Sequence, residues 1–490
     1  MIGSAQSSLF YFLAILIPRA SSFLIVILLT RGLPLQEFGG FALVVTVGEM
    51  LDAVGGGWIR IILIREEATA DRFGPMFGRV AVLGLASILI MCLVGFNLCR
   101  WFGMPEADPF TVAVLSYAIS FGVLKFALTC LQVRNKDRAY GVLEIVRSVV
   151  TLCAAFVLAR VTGRYLSVSL GISFTAAVFA LIALRIALRG QQIVVPNNGY
   201  ASLLRLGAPL VSANALLLGI QALDKLLLQV FLNSAALGLY TAAFTLGRQP
   251  IDVLASAVNM VGFPALVRAH AETNPGASNT VIQQNLLSVL VWCLPMIALF
   301  MAVGPQAVEI ILPPAYWESA NLLIPMAMLG ALCFALKHFV FENIFHVTRR
   351  NWLAALCLVP GTFIAIIAQF VLIPKYGIIG AATSFVLGSM AGLLATMAVS
   401  RKLIVFDTPW NGVLRILICA LVTWSAASLA GHFGFTLGRV PSLILGCIAG
   451  GLAYLGSTVL LGLQKATLME AGASYAPHGL RSNGRSLRIS

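Results

Sequence analysis

Charged side chains interrupt long apolar segments of this 490-residue sequence. A charge at the centre of an apolar helix costs about 2.5–3.5 kcal/mol in a membrane, so these groups should pair or face water. Buried cations can bind phosphate, and buried carboxylates can bind H+ or Na+. The basic residues are Arg19, Lys125, Arg147, Lys225, Arg248, Lys337 and Arg415, and the acidic ones are Glu49, Asp52, Glu144, Asp224, Asp252 and Glu342.

Polar residues also recur at helical spacing within three segments. Steps of three, four or seven residues place side chains on one face of a helix, which predicts polar lines that face a shared cavity. The lines are Thr241, Thr245, Arg248, Asp252, Ser256 and Asn259; Asn214, Gln221, Lys225 and Gln229; and His338, Glu342 and His346.

Local ion pairs are an alternative explanation for part of this charge. Arg248 precedes Asp252 by four residues and Glu144 precedes Arg147 by three, which are spacings at which helical side chains meet. A purely structural pair and a functional pair remain equally open for both.

Two cations have no acidic residue within four positions on their own segments. They are Arg19 and Lys125, which we therefore predict to be uncompensated, although a bridge between Arg19 and Glu49 is an alternative. Asp224 and Lys225 are neighbours that point in different directions, so each is expected to find a partner on another helix.

The sequence predicts neither a catalytic residue nor a metal site. His338, Glu342 and His346 share one face, but no neighbouring segment completes a metal-ligand set, and a pH-sensitive group is favoured instead. The run Gly55-Gly56-Gly57 lacks the lysine of a phosphate-binding loop. It is expected to end a helix or to let two helices approach closely.

The elements that must position these residues are membrane helices. Hydrophobic residues make up 60% of the sequence and charged residues 10%, against about 25% charged in soluble domains. This excludes soluble enzymes, disordered scaffolds, collagen-like fibres and small disulfide-rich modules. About fourteen segments are long enough to cross a bilayer: 9–29, 38–58, 80–99, 110–131, 141–160, 165–188, 206–231, 237–263, 281–303, 320–346, 351–373, 377–400, 411–432 and 440–463.

Most loop lysines and arginines fall on the side of the N-terminus, which predicts that both termini are cytoplasmic. This topology explains the net charge of +14 without a nucleic-acid partner.

An internal repeat predicts the domain organisation. Residues 38–48 align with 237–247, so that Gly39 matches Gly238, Thr46 matches Thr245 and Gly48 matches Gly247. The offset corresponds to six segments, which predicts two six-helix bundles related by a pseudo-two-fold axis along the membrane normal. The predicted divisions are an N-terminal lobe 1–196, a C-terminal lobe 200–402, two additional helices within 405–463 and a basic cytoplasmic tail 464–490.

Several stretches resemble polysaccharide flippases of the multidrug/oligosaccharidyl-lipid/polysaccharide exporter superfamily. The resemblance covers roughly residues 5–402. It is carried by 28–39 (LLTRGLPLQEFG), 127–132 (ALTCLQ), 144–147 (EIVR), 204–210 (LRLGAPL), 223–225 (LDK) and 237–243 (LGLYTAA).

This resemblance implies a transporter rather than an enzyme. It would move undecaprenyl-pyrophosphate-linked oligosaccharide across the bacterial inner membrane by alternating access, for exopolysaccharide, O-antigen or capsule synthesis. Membrane lipids, a polysaccharide polymerase and a chain-length regulator are the implied partners.

The resemblance also assigns roles to the buried charges. Similar lipid II flippases carry a basic residue in helix 1, a role that falls on Arg19. We predict contacts with pyrophosphate or sugar for Arg19, Lys125, Lys225, Arg248 and Lys337. For H+ or Na+ coupling without a bound cofactor we predict Glu49, Asp52, Asp224, Asp252, Glu342 and His338.

Two other functions remain open. A multidrug/cation antiporter of the same superfamily would need a net acidic cavity. A membrane polysaccharide polymerase or ligase usually exposes a large outer loop with catalytic residues, and the outer loops here are short.

Overall fold

The structure is a computed structural model that describes residues 2–67, 75–101, 107–190, 200–271, 275–350, 352–435 and 438–463. Within these ranges it is helical, without strands. The predicted basic tail 464–490 lies outside the described residues. The helices are α1 (Ile2–Gly32), α2 (Leu35–Gly55), α3 (Gly57–Glu67), α4 (Pro75–Trp101), α5 (Ala107–Val133), α6 (Asp137–Thr162), α7 (Tyr165–Leu188), α8 (Tyr200–Phe231), α9 (Ser234–Ala271), α10 (Pro275–Ile311), α11 (Trp317–Leu336), α12 (Glu342–Val347), α13 (Trp352–Ser400), α14 (Trp410–Phe435) and α15 (Arg439–Leu460).

These helices confirm an all-α membrane protein. Eleven helical segments in the described part are long and apolar enough to cross a membrane. Each predicted segment overlaps a helix, and segments 351–373 and 377–400 share α13. The total of fourteen spans stays a prediction.

Apolar side chains that point outward show why the fold needs a bilayer. On α4, Leu85, Leu89 and Leu93 are 65%, 70% and 65% exposed. Residues four apart lie on one helix face, so these leucines form a continuous apolar row. A row of this kind is stable against lipid and unfavourable against water.

The glycine run at 55–57 separates two helices, as the sequence predicted. Helix α2 ends at Gly55, and α3 begins at Gly57. The predicted span 38–58 is therefore wrong at its C-terminal end, and α3 was not predicted. Three residues without side chains weaken helix continuation, which lets the chain turn before α3.

Helix α13 contains a break at Gly377. The φ angle of this residue is 58° and ψ is −131°, a backbone conformation that is open to glycine and strained for other residues. The break coincides with the first residue of the predicted segment 377–400 and separates it from the predicted segment 351–373.

A π-helical segment at Lys337–Phe341 joins α11 to α12. The sequence predicted one regular segment over 320–346, so this irregularity was missed. In π-helical geometry the backbone bonds run between residues five apart, which changes which side chains share a face.

The described residues divide into two compact units. The first is drawn from Met1–Gly247, Ile311–Ala327 and Thr362–Gly388, and the second from Arg248–Ile310, Met328–Gly361 and Ser389–Ser490. These units follow packing within the chain, whereas the predicted lobes 1–196 and 200–402 follow helix count, and those boundaries stay a prediction.

Buried apolar side chains hold the first unit together, including Trp58, Leu63, Phe77, Leu131 and Ala183. They come from α3, α4, α5 and α7. These four helices therefore share one core, which fixes α5 relative to α3.

In the second unit, α14 and α15 are attached to α10. The Tyr454 hydroxyl donates to the Val291 carbonyl over 2.8 Å, and Arg439 pairs with Glu309 at 2.7 Å. A side chain at Gly446 would collide with Val303. The two C-terminal helices are thus integrated into this unit.

The repeat predicted from the sequence has a direct structural counterpart in the first unit. A side chain on Gly39 would collide with the carbonyl of Ser234, and a Cβ on Gly238 would lie 2.8 Å from the carbonyl oxygen of Leu35. Leu35 and Ser234 are related by the same offset as the two glycines. Reciprocal contacts of this kind are what a two-fold axis between equivalent segments produces.

We expect Gly39→Ala to destabilise the protein by about 1–3 kcal/mol, the usual cost of overpacking. The neighbour is a backbone carbonyl, which cannot rotate away as a side chain can. Thermal unfolding of the purified protein in detergent would measure the effect. Gly451→Ala is the control, because no atom lies within 4 Å of its Cβ position. Equal unfolding midpoints for the two variants would show that α2 and α9 do not depend on this contact.

Candidate substrate and ion-coupling sites

Four charged side chains form a network inside the first unit. The Lys125 ammonium lies 2.7 Å from Glu49 Oε2 and 2.9 Å from Asp52 Oδ2. Arg60 donates to both Asp52 oxygens, over 2.7 Å and 3.2 Å. Two cations and two carboxylates give a network that is neutral as a whole.

Local backbone features bring these residues together. Glu49 and Asp52 are three residues apart on α2, which places both carboxylates on one face toward Lys125 of α5. The turn at Gly56 then lets α3 begin beside the end of α2, and a Cβ at Gly56 would lie 2.9 Å from both Arg60 Nη1 and Asp52 Oδ1. The absence of a side chain there gives Arg60 access to the carboxylate.

The network has a sealed part and an accessible part. The Asp52 side chain is 1% exposed, whereas that of Glu49 is 41% exposed. Asp52 and Arg60 border a cavity of about 230 Å³ whose other walls are almost entirely apolar, including Phe77 and Phe126. Glu49 and Lys125 are therefore the members that can exchange a partner, and Asp52 with Arg60 anchors them.

The prediction that Lys125 is uncompensated was wrong. Its acidic partners come from another helix, α2, and sequence spacing along one helix reveals only local partners. Arg60, which lies on α3, was not among the predicted site residues. The glycine run three to five residues after Asp52 was the one signal for a close turn there.

Tyr117 is a further member that the sequence did not reveal. Its hydroxyl donates to Glu49 Oε1 over 3.2 Å, and its ring stacks on Phe121 with centroids 4.2 Å apart. A side chain on Gly48 would collide with this ring. The small residue thus lets Tyr117 reach the carboxylate.

A second group of charges surrounds an aromatic ring in the second unit. Arg248 pairs with Asp252 at 2.9 Å, which confirms that predicted ion pair. The Arg248 guanidinium lies 5.0 Å from the centre of the Phe334 ring, and the Lys337 ammonium lies 5.8 Å from it. Cations at these distances are attracted to an aromatic face.

Glu342 completes this second group. Its Oε2 lies 2.9 Å from His338 Nδ1 and 3.6 Å from Lys337 Nζ. One carboxylate thus serves a lysine and a histidine of the π-helical segment. The role of Phe334 was missed, because an aromatic residue in an apolar segment looks like an ordinary core residue.

The remaining predicted residues lie elsewhere. Asp224 is buried and accepts a 2.6 Å hydrogen bond from the Tyr240 hydroxyl of α9, which confirms a partner on another helix. Lys225 is partly exposed on α8, and its partner stays a prediction. Arg19 is exposed on α1.

The predicted local pair on α6 is also present. Arg147 Nη2 lies 2.7 Å from Glu144 Oε2. This pair satisfies its own charges within a single turn, as a structural ion pair does.

A metal ion is a further ligand that carboxylates and histidines could hold. Among the residues with described side chains, no group of three or more His, Cys, Asp or Glu could hold a metal ion. His338 and Glu342 make a pair with each other and with Lys337, and an ammonium is not a metal ligand.

A match over more than half of the sequence shows the family of the chain. A family model described as "Polysaccharide biosynthesis protein" matches residues 28–321. The chain belongs to the polysaccharide biosynthesis protein family. The match covers α2 to α10 and includes both repeat segments. No curated protein sequence matches the chain.

Solved transporter structures share the fold. Lipid II flippase MurJ in an inward closed conformation aligns with a TM-score of 0.77 at 14% identity, covering 93% of this chain and 99% of that one. An inward-facing multidrug resistance MATE family transporter of the MOP superfamily gives 0.54 at 16% identity, with 80% and 98% coverage. A mutant of the Vibrio cholerae MATE transporter VcmN aligns with a TM-score of 0.53 at 14% identity, covering 81% of this chain and 95% of that one.

The family is therefore one of polysaccharide biosynthesis proteins, and the fold is that of solved membrane transporters. At these identities the structural likeness establishes the fold. The protein is a multi-pass membrane protein with the fold of the MurJ and MATE structures.

We expect Asp52→Asn to destabilise the protein by about 3–5 kcal/mol, the usual cost of removing one partner from a buried ion pair. Glu49→Gln is the matched comparison and should cost about 0–1 kcal/mol, because Glu49 is accessible and Lys125 keeps Asp52. Chemical or thermal unfolding in detergent would measure both.

The combined variant Asp52→Asn with Arg60→Met should recover part of the loss, since the unpaired guanidinium is removed as well. Equal stability of Asp52→Asn and Glu49→Gln would contradict the division into a sealed part and an accessible part.

Proposed function

We propose that the protein is a flippase that moves undecaprenyl-pyrophosphate-linked oligosaccharide units across the bacterial inner membrane. It would do so by alternating access and supply exopolysaccharide, O-antigen or capsule synthesis. The membrane lipids around it and the lipid-linked oligosaccharide are its direct partners. A polysaccharide polymerase and a chain-length regulator would act with it.

The observation that carries this proposal is the fold shared with lipid II flippase over nearly the full length of both chains. That protein, as its name says, is a flippase whose substrate is a lipid. The family match adds that this chain serves polysaccharide biosynthesis. A lipid-linked saccharide destined for a polysaccharide is the substrate class that satisfies both.

The buried cations would stabilise the phosphate charges of such a substrate while it crosses the membrane. Moving a bare phosphate anion into hydrocarbon costs tens of kcal/mol in the Born limit. Arg19, Lys125, Lys225, Arg248 and Lys337 would contact the pyrophosphate or sugar in place of water. Lys125 is held by carboxylates, so the phosphate must take over a cation that a carboxylate releases.

The membrane potential would favour the loaded step. Two negative charges that move outward across an inside-negative membrane gain about 4.6 kcal/mol per 100 mV. Binding of H+ or Na+ at Glu49, Asp52, Asp224, Asp252, Glu342 or His338 would couple the cycle to an ion gradient, because neutralising a carboxylate or protonating the histidine frees positive charge for the phosphate. No bound cofactor is needed for this cycle.

The proposed orientation has both termini in the cytoplasm. It is supported by the excess of loop lysines and arginines on that side, since cytoplasmic loops of bacterial membrane proteins carry such an excess.

A multidrug/cation antiporter is the second candidate. The MATE structures favour it, but they align less well, with TM-scores of 0.54 and 0.53 and about four fifths of this chain. Resistance to cationic drugs in an expressing strain would support it.

Deletion of the gene should stop polysaccharide export and cause lipid-linked oligosaccharide to accumulate on the cytoplasmic side, because the step between synthesis and polymerisation is lost. Extraction and mass measurement of the lipid-linked pool would check this, with a plasmid copy as the control. An unchanged pool in the deletion strain would refute the flippase assignment.

Arg19→Ala should abolish export while the protein is expressed normally, and Arg19→Lys should retain part of it, because a lysine keeps the charge and loses the planar fork. Export in the complemented deletion strain is the readout. Arg415→Ala is the control, since Arg415 is exposed on α14 and donates to the Leu461 carbonyl. Wild-type export by Arg19→Ala would remove Arg19 from the mechanism.

A further inference from the structure

One carboxylate of the second unit is shared by two potential cations of different accessibility. Glu342 Oε2 lies 2.9 Å from His338 Nδ1 and 3.6 Å from Lys337 Nζ. The Lys337 side chain is 7% exposed and that of His338 is 47% exposed. The histidine is therefore the accessible member of the site, while the lysine depends on the shared carboxylate for its compensation.

The π-helical segment is what makes this sharing possible. In an α-helix, residues five apart are separated by about 1.4 turns and point in different directions. Here the Glu342 N–H donates to the Lys337 carbonyl, the bond between residues five apart that defines a π-helix. This places Glu342 above Lys337 and leaves it within reach of His338, four residues away.

Packing around the segment leaves room for the lysine stem. A Cβ at Gly392 of α13 would lie 3.4 Å from Lys337 Cδ. His338 stacks on Phe334 with ring centroids 5.8 Å apart, and Phe334 also carries the Arg248 guanidinium. The aromatic ring thus separates this carboxylate site from the Arg248–Asp252 pair.

The other ionisable groups near the site are few among the described residues. From α9 they are Arg248 and Asp252, which pair with each other. From α13 the Cys357 thiol is close enough to interact with Lys337 and Glu342. His346, one turn beyond Glu342, acts on the carboxylate at longer range. The charge of the site therefore depends mainly on Lys337, Glu342 and the protonation of His338.

We propose that Lys337 and His338 form a phosphate or pyrophosphate site that is available only when His338 carries a second proton. The inference rests on the proposed function, because it takes the phosphorylated headgroup as the ligand and H+ as the coupling ion. It selects one group, His338, from the candidates for coupling, and it gives the π-helical segment a role.

The charge of the site in the two protonation states of His338 gives the direction in which anion affinity changes with pH. With a neutral histidine, Nδ1–H donates to the carboxylate, and lysine and glutamate cancel. A second proton then binds the other ring nitrogen, and the site gains one positive charge. Two cations share one carboxylate, and the lysine ammonium has donors left for an anion. Proton and anion therefore bind together, each raising the affinity for the other.

The experiment is binding of inorganic pyrophosphate to the purified full-length protein between pH 5.5 and pH 8. Pyrophosphate itself gains protons over this range, so sulfate, whose charge stays constant, is measured in parallel. For the wild type we expect affinity for both anions to rise about tenfold toward low pH, within the usual range of coupling between two ligands.

Three variants separate this mechanism from a structural ion pair. His338→Gln should bind weakly at every pH, with no pH dependence. Glu342→Gln should bind about tenfold more tightly than the wild type at pH 8, because no carboxylate competes for Lys337. His346→Gln is the matched control, another exposed histidine close by in the chain, and should keep the wild-type pH dependence.

A pH dependence that survives His338→Gln, or one that is lost in His346→Gln, would overturn the proposal. So would the absence of anion binding in the wild type and in Glu342→Gln at every pH. None of these outcomes tests the flippase assignment, which is tested separately by the lipid-linked pool of the deletion strain. Failure of the anion-site proposal can therefore be distinguished from failure of the proposed function.

Discussion

A charged side chain inside an apolar helix bundle is stable only when an opposite charge or water accompanies it. This constraint shapes both units. In the first, Asp52 is sealed and is compensated by Arg60 and Lys125. In the second, Lys337 is sealed and is compensated by Glu342. The first arrangement requires α2 and α5 to stay packed together, and the second requires the register of the π-helical segment.

Each network joins a sealed residue to an accessible one. Lys125 connects the buried Asp52 to the exposed Glu49. Glu342 connects the buried Lys337 to the exposed His338. A purely structural pair has no need of an accessible member. A transporter does, because a ligand or a proton must reach the network before its ion pairs can exchange partners. This division of roles is the feature of the structure that fits transport best.

The two repeat segments, on α2 and α9, make equivalent backbone contacts but carry different charged residues. The reciprocal contacts of Gly39 and Gly238 place α2 and α9 in equivalent positions. At the repeat offset, Glu49 of α2 corresponds to Arg248 of α9, so the sign of the charge is inverted. A lysine on the neighbouring helix can pair with an acid at this position but not with an arginine. The acidic partner of Lys337 is instead Glu342, five residues further along the same continuous helical stretch. The π-helical turn is what lets residues five apart meet.

The sequence alone determined the class of protein, the approximate positions of the helices, the repeat and the local pairs Arg248–Asp252 and Glu144–Arg147. Hydrophobic length and spacing within one helix are properties of the chain itself, which is why these were accessible. The partners of Lys125 and Arg60, the turn into α3 and the π-helical register were decided by the tertiary structure. They depend on which helices lie side by side and on where a glycine leaves room, and neither can be read from spacing along one segment. For this reason Lys125, one of the two basic residues predicted to be uncompensated, instead pairs with two carboxylates from another helix.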